Sequence, residues 1–311
     1  MKWTRKDLLA LSEMSAEEII FVLDTAAEFK DVGRRRLKKV PSLRGKTLVN
    51  LFVEASTRTR TSFELAAVRL SADVVNITAG GSSLSKGESL KDTAKNLEAL
   101  AADLIVLRHS AAGASRFLAA RLGAGVINAG DGSHEHPTQG LLDVFTIRER
   151  LGRIEGVKVG IVGDIRFSRV ARSDIQALTK LGAEVTLIGP PTLVPREFGR
   201  LGVRLTDRFD DVLGELDVVN LLRIQHERQK AGHFPGTGEY ASLFGLNASR
   251  AARLKQGALV MHPGPIHRGI ELDGSVADGP HSVILDQVTN GLAVRMAVLY
   301  LCGSVPPKEG E

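Results

Sequence analysis

Short, almost wholly apolar runs recurring between helical stretches constrain this chain most. Leu48-Val49-Asn50-Leu51-Phe52-Val53 and Val157-Lys158-Val159-Gly160-Ile161-Val162-Gly163 are too short for buried helices and lack the alternation of a strand wetted on one face. Each reads as a strand buried on both faces, which demands helices above and below it and therefore a parallel sheet. Further strand-like runs lie at Asp73–Ile77, Leu104–Leu107 and Gly125–Asn128. Between them Ala55–Leu70 reads as a turn feeding a helix with Phe63, Ala66, Ala67 and Leu70 buried. After Gly152 the pattern restarts, with strands at Glu184–Ile188, Asp217–Leu221 and Ala258–Met261 and a helix over Ser168–Leu181. Ser15 and Glu18 form a capping-box pattern opening a helix to Phe29, with Ile19, Ile20, Leu23 and Ala27 on one face.

The fold class expected is therefore α/β, two doubly wound parallel-sheet domains joined by interdomain helices. A length of 311 residues also exceeds what one core usually serves. The domains are expected at residues 1–150 and 151–285, with a helix from about His136 to Arg150 as the join.

Composition removes several function classes. Cys302 is the only cysteine, which excludes an internal disulfide and a cysteine-built metal site and suits a reducing compartment. No apolar run is long enough for a membrane span, and the N-terminal residues lack a signal-peptide core, so the expected location is the cytoplasm. A net charge of +5 raises nucleic acid as a partner, but aromatic residues make up only 5% and no recognised binding motif is present. The run Arg34-Arg35-Arg36 reads as a solvated face. Arginines inside motifs point instead to small anionic substrates.

The sharpest motif is Glu54-Ala55-Ser56-Thr57-Arg58-Thr59-Arg60, placed where a strand feeds a helix. Unbonded first-turn N–H groups and the positive end of the helix dipole face an anion there. The Ser56, Thr57 and Thr59 hydroxyls add donors, and Arg58 adds a fork matched to phosphate oxygens. A simple helix cap needs only one hydroxyl. Ser82-Ser83-Leu84-Ser85-Lys86-Gly87-Glu88-Ser89, taken by itself, reads first as a plain loop with a capping serine, although Lys86 on it can also close over an anion. Arg108 ends a strand, and His136-Pro137-Thr138-Gln139 opens a helix, offering a donor to an oxyanion and an amide partner.

In the second domain, Gly163-Asp164-Ile165-Arg166-Phe167-Ser168-Arg169 lacks the glycine spacing of a dinucleotide loop and carries Asp164, which would repel a pyrophosphate. Arg169 is free to reach a carboxylate. Leu222-Arg223-Ile224-Gln225-His226-Glu227-Arg228 offers Arg223 and Gln225 to a second anion. Met261-His262-Pro263-Gly264-Pro265 leaves carbonyls as acceptors, which suits a substrate –NH2.

These motifs, in order along nearly the whole chain, resemble the aspartate and ornithine carbamoyltransferases. The S-T-R-T-R stretch marks the superfamily. The S-x-S-K-G-E loop, H-P-T-Q, G-D-I-x-x-S-R-V, L-R-x-Q-x-E-R and H-P-G-P are similar to the aspartate branch, and the H-C-L-P of ornithine enzymes is absent. The resemblance implies transfer of a carbamoyl group from carbamoyl phosphate to the amine of L-aspartate, an early step of pyrimidine biosynthesis, with no metal and no cofactor. It implies carbamoyl phosphate against Ser56, Thr57, Arg58, Thr59, Arg108, His136 and Gln139, with carbonyls near Gly264 and Pro265 on its –NH2. Aspartate would meet Ser83, Lys86, Arg169, Arg223 and Gln225, and a shortened loop leaves Ser82 as an alternative to Ser83. Also implied are a final helix, residues 286–311, packing back on the first domain, and a homotrimer with shared sites. A regulatory chain or a dihydroorotase as partner is left open. Arg58, Thr59, Arg108 and His136 would carry the catalysis, and Glu54 would bridge to Arg169 and Arg228 as the domains close.

Overall fold

The structure, a computed structural model, describes residues 1–78, 80, 86–225 and 236–305. The chain forms two compact units, Met1–Leu141 with the stretch from Thr289 onward, and Leu142–Val288.

In the first unit the order is α1 (Ala16–Arg34), β1 (Thr47–Phe52), α2 (Thr57–Arg69), β2 (Asp73–Thr78), α3 (Leu90–Ala99), β3 (Leu104–His109), α4 (Ala114–Ala119) and β4 (Gly125–Asp131). The chain then leaves through α5 (Pro137–Leu151). The second unit holds β5 (Lys158–Val162), α6 (Arg169–Lys180), β6 (Glu184–Ile188), β7 (Arg204–Thr206), α7 (Phe209–Val212), β8 (Val218–Leu221), α8 (Thr237–Phe244), α9 (Ala248–Ala251), β9 (Leu259–Met261) and α10 (Gly274–Ala277). Along α11 (Ile284–Gly303) the chain returns to the first unit.

Both sheets are parallel, with strand orders β2-β1-β3-β4 and β7-β6-β5-β8-β9. Leu48, Val49, Leu51 and Phe52 are all buried, so β1 is covered on both faces, as its unbroken apolar run requires. In the first sheet the chain steps outward from β1 to β2, then crosses back to β3. In the second it runs β5, β6, β7 to one side and then β8, β9 to the other. Strand order therefore reverses between β1 and β3 and between β5 and β8. Loops leaving the carboxyl ends of such strand pairs part to opposite faces and open a crevice suited to ligands.

Several elements differ from what the sequence predicts. The capping box of α1 is present, with Ser15 Oγ accepting from the Glu18 N–H at 3.2 Å and Glu18 accepting from the Ser15 N–H at 2.8 Å. Its buried face, however, is Ile19, Val22, Leu23 and Ala26, while Ile20 and Ala27 are exposed. That set follows the helical spacing of three and four from Ile19 more closely than the expected one. The helix also runs on to Arg34, because its solvated side accepts charge. The edge strand β7 has no counterpart among the expected strands; it has three residues, none of them buried, and so carries no apolar run.

Unit two is fastened by Arg250, which is 8% exposed and stacks over Phe209 at 5.6 Å. It donates to both Asp210 carboxylate oxygens at 3.1 and 2.7 Å and to the Gly245 carbonyl at 2.8 Å. The Arg250 guanidinium holds the Asp210 carboxyl below its usual value of 3.8, with Arg253 adding to the effect. A depressed folded-state value means that this stability is present above the unfolded carboxylate range and is lost as pH falls through the folded value. Arg250→Ala is expected to cost about 2 kcal/mol at neutral pH. In urea melts across a pH series, the deficit relative to wild type should shrink below the unfolded value.

Candidate active site

In the first unit, α2 opens directly behind β1 with Ser56 extended at the N-cap position. Ser15, Ser89, Ser168 and Asn247 each cap their helix by accepting from the N–H three residues on, but Ser56 makes no such bond. Its hydroxyl is not committed to capping, and the first-turn N–H groups have no intrahelical acceptor. Thr57 and Arg58 are exposed, while Thr59 is buried.

Arg108 stands on the neighbouring strand, directly opposite Phe52. Its carbonyl accepts from the Val53 and Glu54 N–H groups at 2.9 and 3.2 Å. Its guanidinium donates to Glu54 at 2.8 Å and to the Ala129 carbonyl at 3.2 Å. The loop leaving β1 is thus clamped to β3 at the crossover point. Glu54, expected to bridge to Arg169 and Arg228 on closure, is bonded here to Arg108. Burial pushes the adjacent His109 imidazole below its usual range, against the pull of Glu54 and Asp131.

One strand further on, His136 is buried at the start of α5, where its carbonyl accepts from the Gln139 and Gly140 N–H groups at 2.9 and 3.2 Å. Gln139 lies 9% exposed in the first turn. Two acids hold this segment. Asp131 accepts from the Gly113 N–H at 2.7 Å and the Asn128 amide at 2.8 Å. Glu135 accepts from the Leu11 N–H at 2.8 Å and the Ser12 hydroxyl at 2.8 Å. Behind α2, Arg295 on α11 donates to Ser62 at 2.9 Å and lies over the Phe63 ring at 5.3 Å. Sequence reasoning missed Asp131, Glu135 and Arg295. The acids flanking His136 were a readable signal, whereas Arg295 sits in the apolar stretch Leu292–Leu301 of its helix without one.

In the second unit, Arg169 is the first residue of α6 and only 4% exposed. Gly163, in the turn after β5, has φ +125, and a Cβ there would lie 2.8 Å from the Tyr240 hydroxyl, so only glycine fits. Asp164 accepts from the Phe167 N–H at 3.1 Å and, across the crossover, from the Gln225 N–H at 3.0 Å. The sequence marks it only as unfit for a pyrophosphate, yet it joins the two loops. Arg223 donates to the Gln225 side-chain carbonyl at 3.2 Å, and the Gln225 amide returns a bond to the Arg223 carbonyl at 3.2 Å. Glu271 accepts from the Ile224 and His267 N–H groups at 3.2 and 3.1 Å, and burial pushes its carboxyl above the usual range.

One strand beyond β8, Gly264 has φ +69 and donates its N–H to His262 Nδ1 at 2.7 Å. That acceptor role places the imidazole proton on Nε2. Pro265 is exposed.

The first unit therefore brings Ser56, Thr57, Arg58, Thr59 and Arg108 to its crossover, with His136 and Gln139 one strand away. The second brings Arg169, Arg223 and Gln225 to its own, with Gly264 and Pro265 one strand away. Lys86 is exposed ahead of α3. Ser82, Ser83 and Arg228 lie outside the described residues.

Residues 6–149 match the family model described as aspartate/ornithine carbamoyltransferase, carbamoyl-P binding domain, and residues 155–302 match the companion Asp/Orn binding domain. The chain is similar to the aspartate carbamoyltransferase catalytic subunit of Opitutus terrae, with 61% identity over 308 residues, 99% of this chain and 98% of that one. Among solved structures it is similar to Trypanosoma cruzi aspartate transcarbamoylase in complex with carbamoyl phosphate, at TM-score 0.87 and 29% identity, covering 96% of this chain and 95% of that one. Ornithine carbamoyltransferase from Pyrococcus furiosus gives TM-score 0.86 and 33% identity, covering 100% of both chains. Backbone similarity alone does not separate the two branches.

Inorganic phosphate titrated calorimetrically is expected to bind at the α2 opening. Arg58→Ala should weaken it about tenfold, the worth of one charge-assisted contact. Arg223→Ala should leave it unchanged.

Proposed function

The chain belongs to the aspartate/ornithine carbamoyltransferase family, and we infer that it transfers the carbamoyl group of carbamoyl phosphate to the amine of L-aspartate, giving N-carbamoyl-L-aspartate and phosphate. The observation that carries the choice of amine is the pair of guanidinium groups, Arg169 and Arg223, beside the second crossover. Two cations suit the two carboxylates of aspartate, whereas ornithine would bring an ammonium as well as a carboxylate to the same place. The 61% identity to an aspartate carbamoyltransferase catalytic subunit supports the same choice.

In this reading the phosphate group sits on the α2 N–H groups, the hydroxyls of Ser56, Thr57 and Thr59, and the Arg58 fork. Gln139 and the carbonyls of Gly264 and Pro265 accept from the carbamoyl –NH2. Arg169, Arg223 and Gln225 orient aspartate, with its amine neutral. The amine attacks the carbamoyl carbon, and the carbonyl electrons move to oxygen. Arg108, His136 and Thr59 donate to that oxygen, and one such donor is worth about 3 kcal/mol of barrier. The tetrahedral centre collapses by breaking its bond to the phosphate oxygen. Phosphate departs into the Arg58 nest and accepts the amine proton. Orientation supplies much of the rate, because two small substrates are fixed before they react.

A homotrimer with shared sites belongs to the same reading, in which Ser83 and Lys86 of a neighbouring copy complete the aspartate site. The exposed position of Lys86 supports it. A place early in pyrimidine synthesis, in the cytoplasm, belongs to the same reading. No helix among the described residues is long and apolar enough to cross a membrane.

Product formation from carbamoyl phosphate, with aspartate and ornithine supplied separately at equal concentration, tests the assignment. Carbamoyl-aspartate alone is expected, and product from ornithine alone would overturn the reading of the second crossover. His136→Ala should lower kcat about a hundredfold with a smaller rise in KM. A variant that raised KM and spared kcat would remove His136 from the oxyanion.

A further inference from the structure

Four buried polar side chains in the second unit take no part in the transfer chemistry. Asp143 on α5, Asp174 on α6, Asn220 on β8 and Gln287 on α11 are each 3% exposed or less. The Gln287 amide donates to Asp143 Oδ1 at 2.7 Å, and its carbonyl oxygen accepts from the His262 N–H at 2.9 Å. The Asn220 amide donates to Asp174 Oδ2 at 2.9 Å. The Asp143 carboxyl lies near enough to Asp174 to raise its carboxyl, and both side chains are shut away from water. Two ionised carboxylates close together out of water repel, and a proton held by one of them turns that repulsion into a hydrogen bond.

The surroundings decide which. Burial and then the Asp143 charge push the Asp174 carboxyl well above the ordinary range, opposed only by the Asn220 amide. Asp174 Oδ1 receives no bond from an N–H donor. Asp143 has the Gln287 N–H to stabilise an ionised form. The sequence of contacts therefore runs from Asn220 through Asp174, Asp143 and Gln287 to the backbone of His262. There it meets the turn closed by the bond from the Gly264 N–H to His262 Nδ1.

We propose that Asp174 stands as a neutral carboxylic acid donating to Asp143, and that the two act through Gln287 as positioning residues for the His262-Pro263-Gly264-Pro265 turn. The positioning half rests on the carbamoyl-transfer reading, in which carbonyls of that turn accept from the carbamoyl –NH2. The acid fixes Asp143, which turns the Gln287 amide so that its oxygen faces the His262 N–H. Loss of the acid proton leaves two negative carboxylates in contact, and the Gln287 amide then loses its single preferred orientation.

Infrared difference spectra between wild type and Asp174→Asn, ligand-free, in H2O and D2O, test the acid directly. The expected result is a protonated-carboxyl stretch above the amide I band that shifts in D2O and vanishes in the variant. Its absence from wild type would overturn the acid. Steady-state kinetics test the positioning. Asp174→Leu and Gln287→Met should each raise KM for carbamoyl phosphate about tenfold, with a smaller change for aspartate. Asp174→Asn, whose amide N–H replaces the acid O–H, should restore the KM lost in Asp174→Leu. Equal effects on both substrates, or an Asn variant as damaged as Leu, would overturn it. Gln287→Met carries this arm alone should Asp174→Leu fail to fold. Should wild type form no product with any amine, the functional reading and the positioning fail together, while the infrared band still decides the acid.

Discussion

A parallel strand buried on both faces must end in a loop that satisfies its own backbone, and nearly every candidate site residue among the described residues stands in or just beyond such a loop. At the first crossover the Arg108 carbonyl takes the N–H groups of Val53 and Glu54, so the chain leaving β1 has one path into α2. At the second, Asp164 takes the N–H of Gln225 and fixes the loop after β8 to the loop after β5. Sheet topology chooses where the crevices open. Local hydrogen bonds choose which side chains line them.

Acidic residues do much of this fastening. Asp131, Glu135, Asp164 and Glu271 all accept from backbone N–H groups, and Glu54 holds the Arg108 guanidinium. In each unit the candidate cationic loops are thus framed by anchored carboxylates. In the proposed reaction, donors anchored this way within each unit need less reorganisation of their own loops. The proton proposed for the buried Asp143–Asp174 pair follows the same logic, since it removes the repulsion between two carboxylates held out of water.

Much of this was legible in the sequence because it is local. Unbroken apolar runs declared strands covered on both faces, and the Ser56–Thr59 stretch put hydroxyls and a guanidinium at a helix start, where α2 opens behind β1. Phe63, Ala66, Ala67 and Leu70 are buried along α2 and just past its end, as their spacing predicts. Less legible were features set by partners distant in the chain. The choice between Ile20 and Val22 on α1 depends on what packs against the helix, and β7 carries no apolar run. Arg295 reaches Ser62 across 233 residues of sequence, and Gln287 joins Asp143 across 144. No periodicity or spacing announces such a contact.

In the proposed reaction one crossover receives the phosphate end of the reacting pair and the other receives the dicarboxylate. A crystal structure with N-(phosphonacetyl)-L-aspartic acid, the compound bound by the T. cruzi relative, tests that division most directly. The expected result has the phosphonate within hydrogen-bond distance of the α2 N–H groups and Arg58, and the two carboxylates on Arg169 and Arg223. A phosphonate held by Arg169 or Arg223, with carboxylates at the α2 opening, would contradict it.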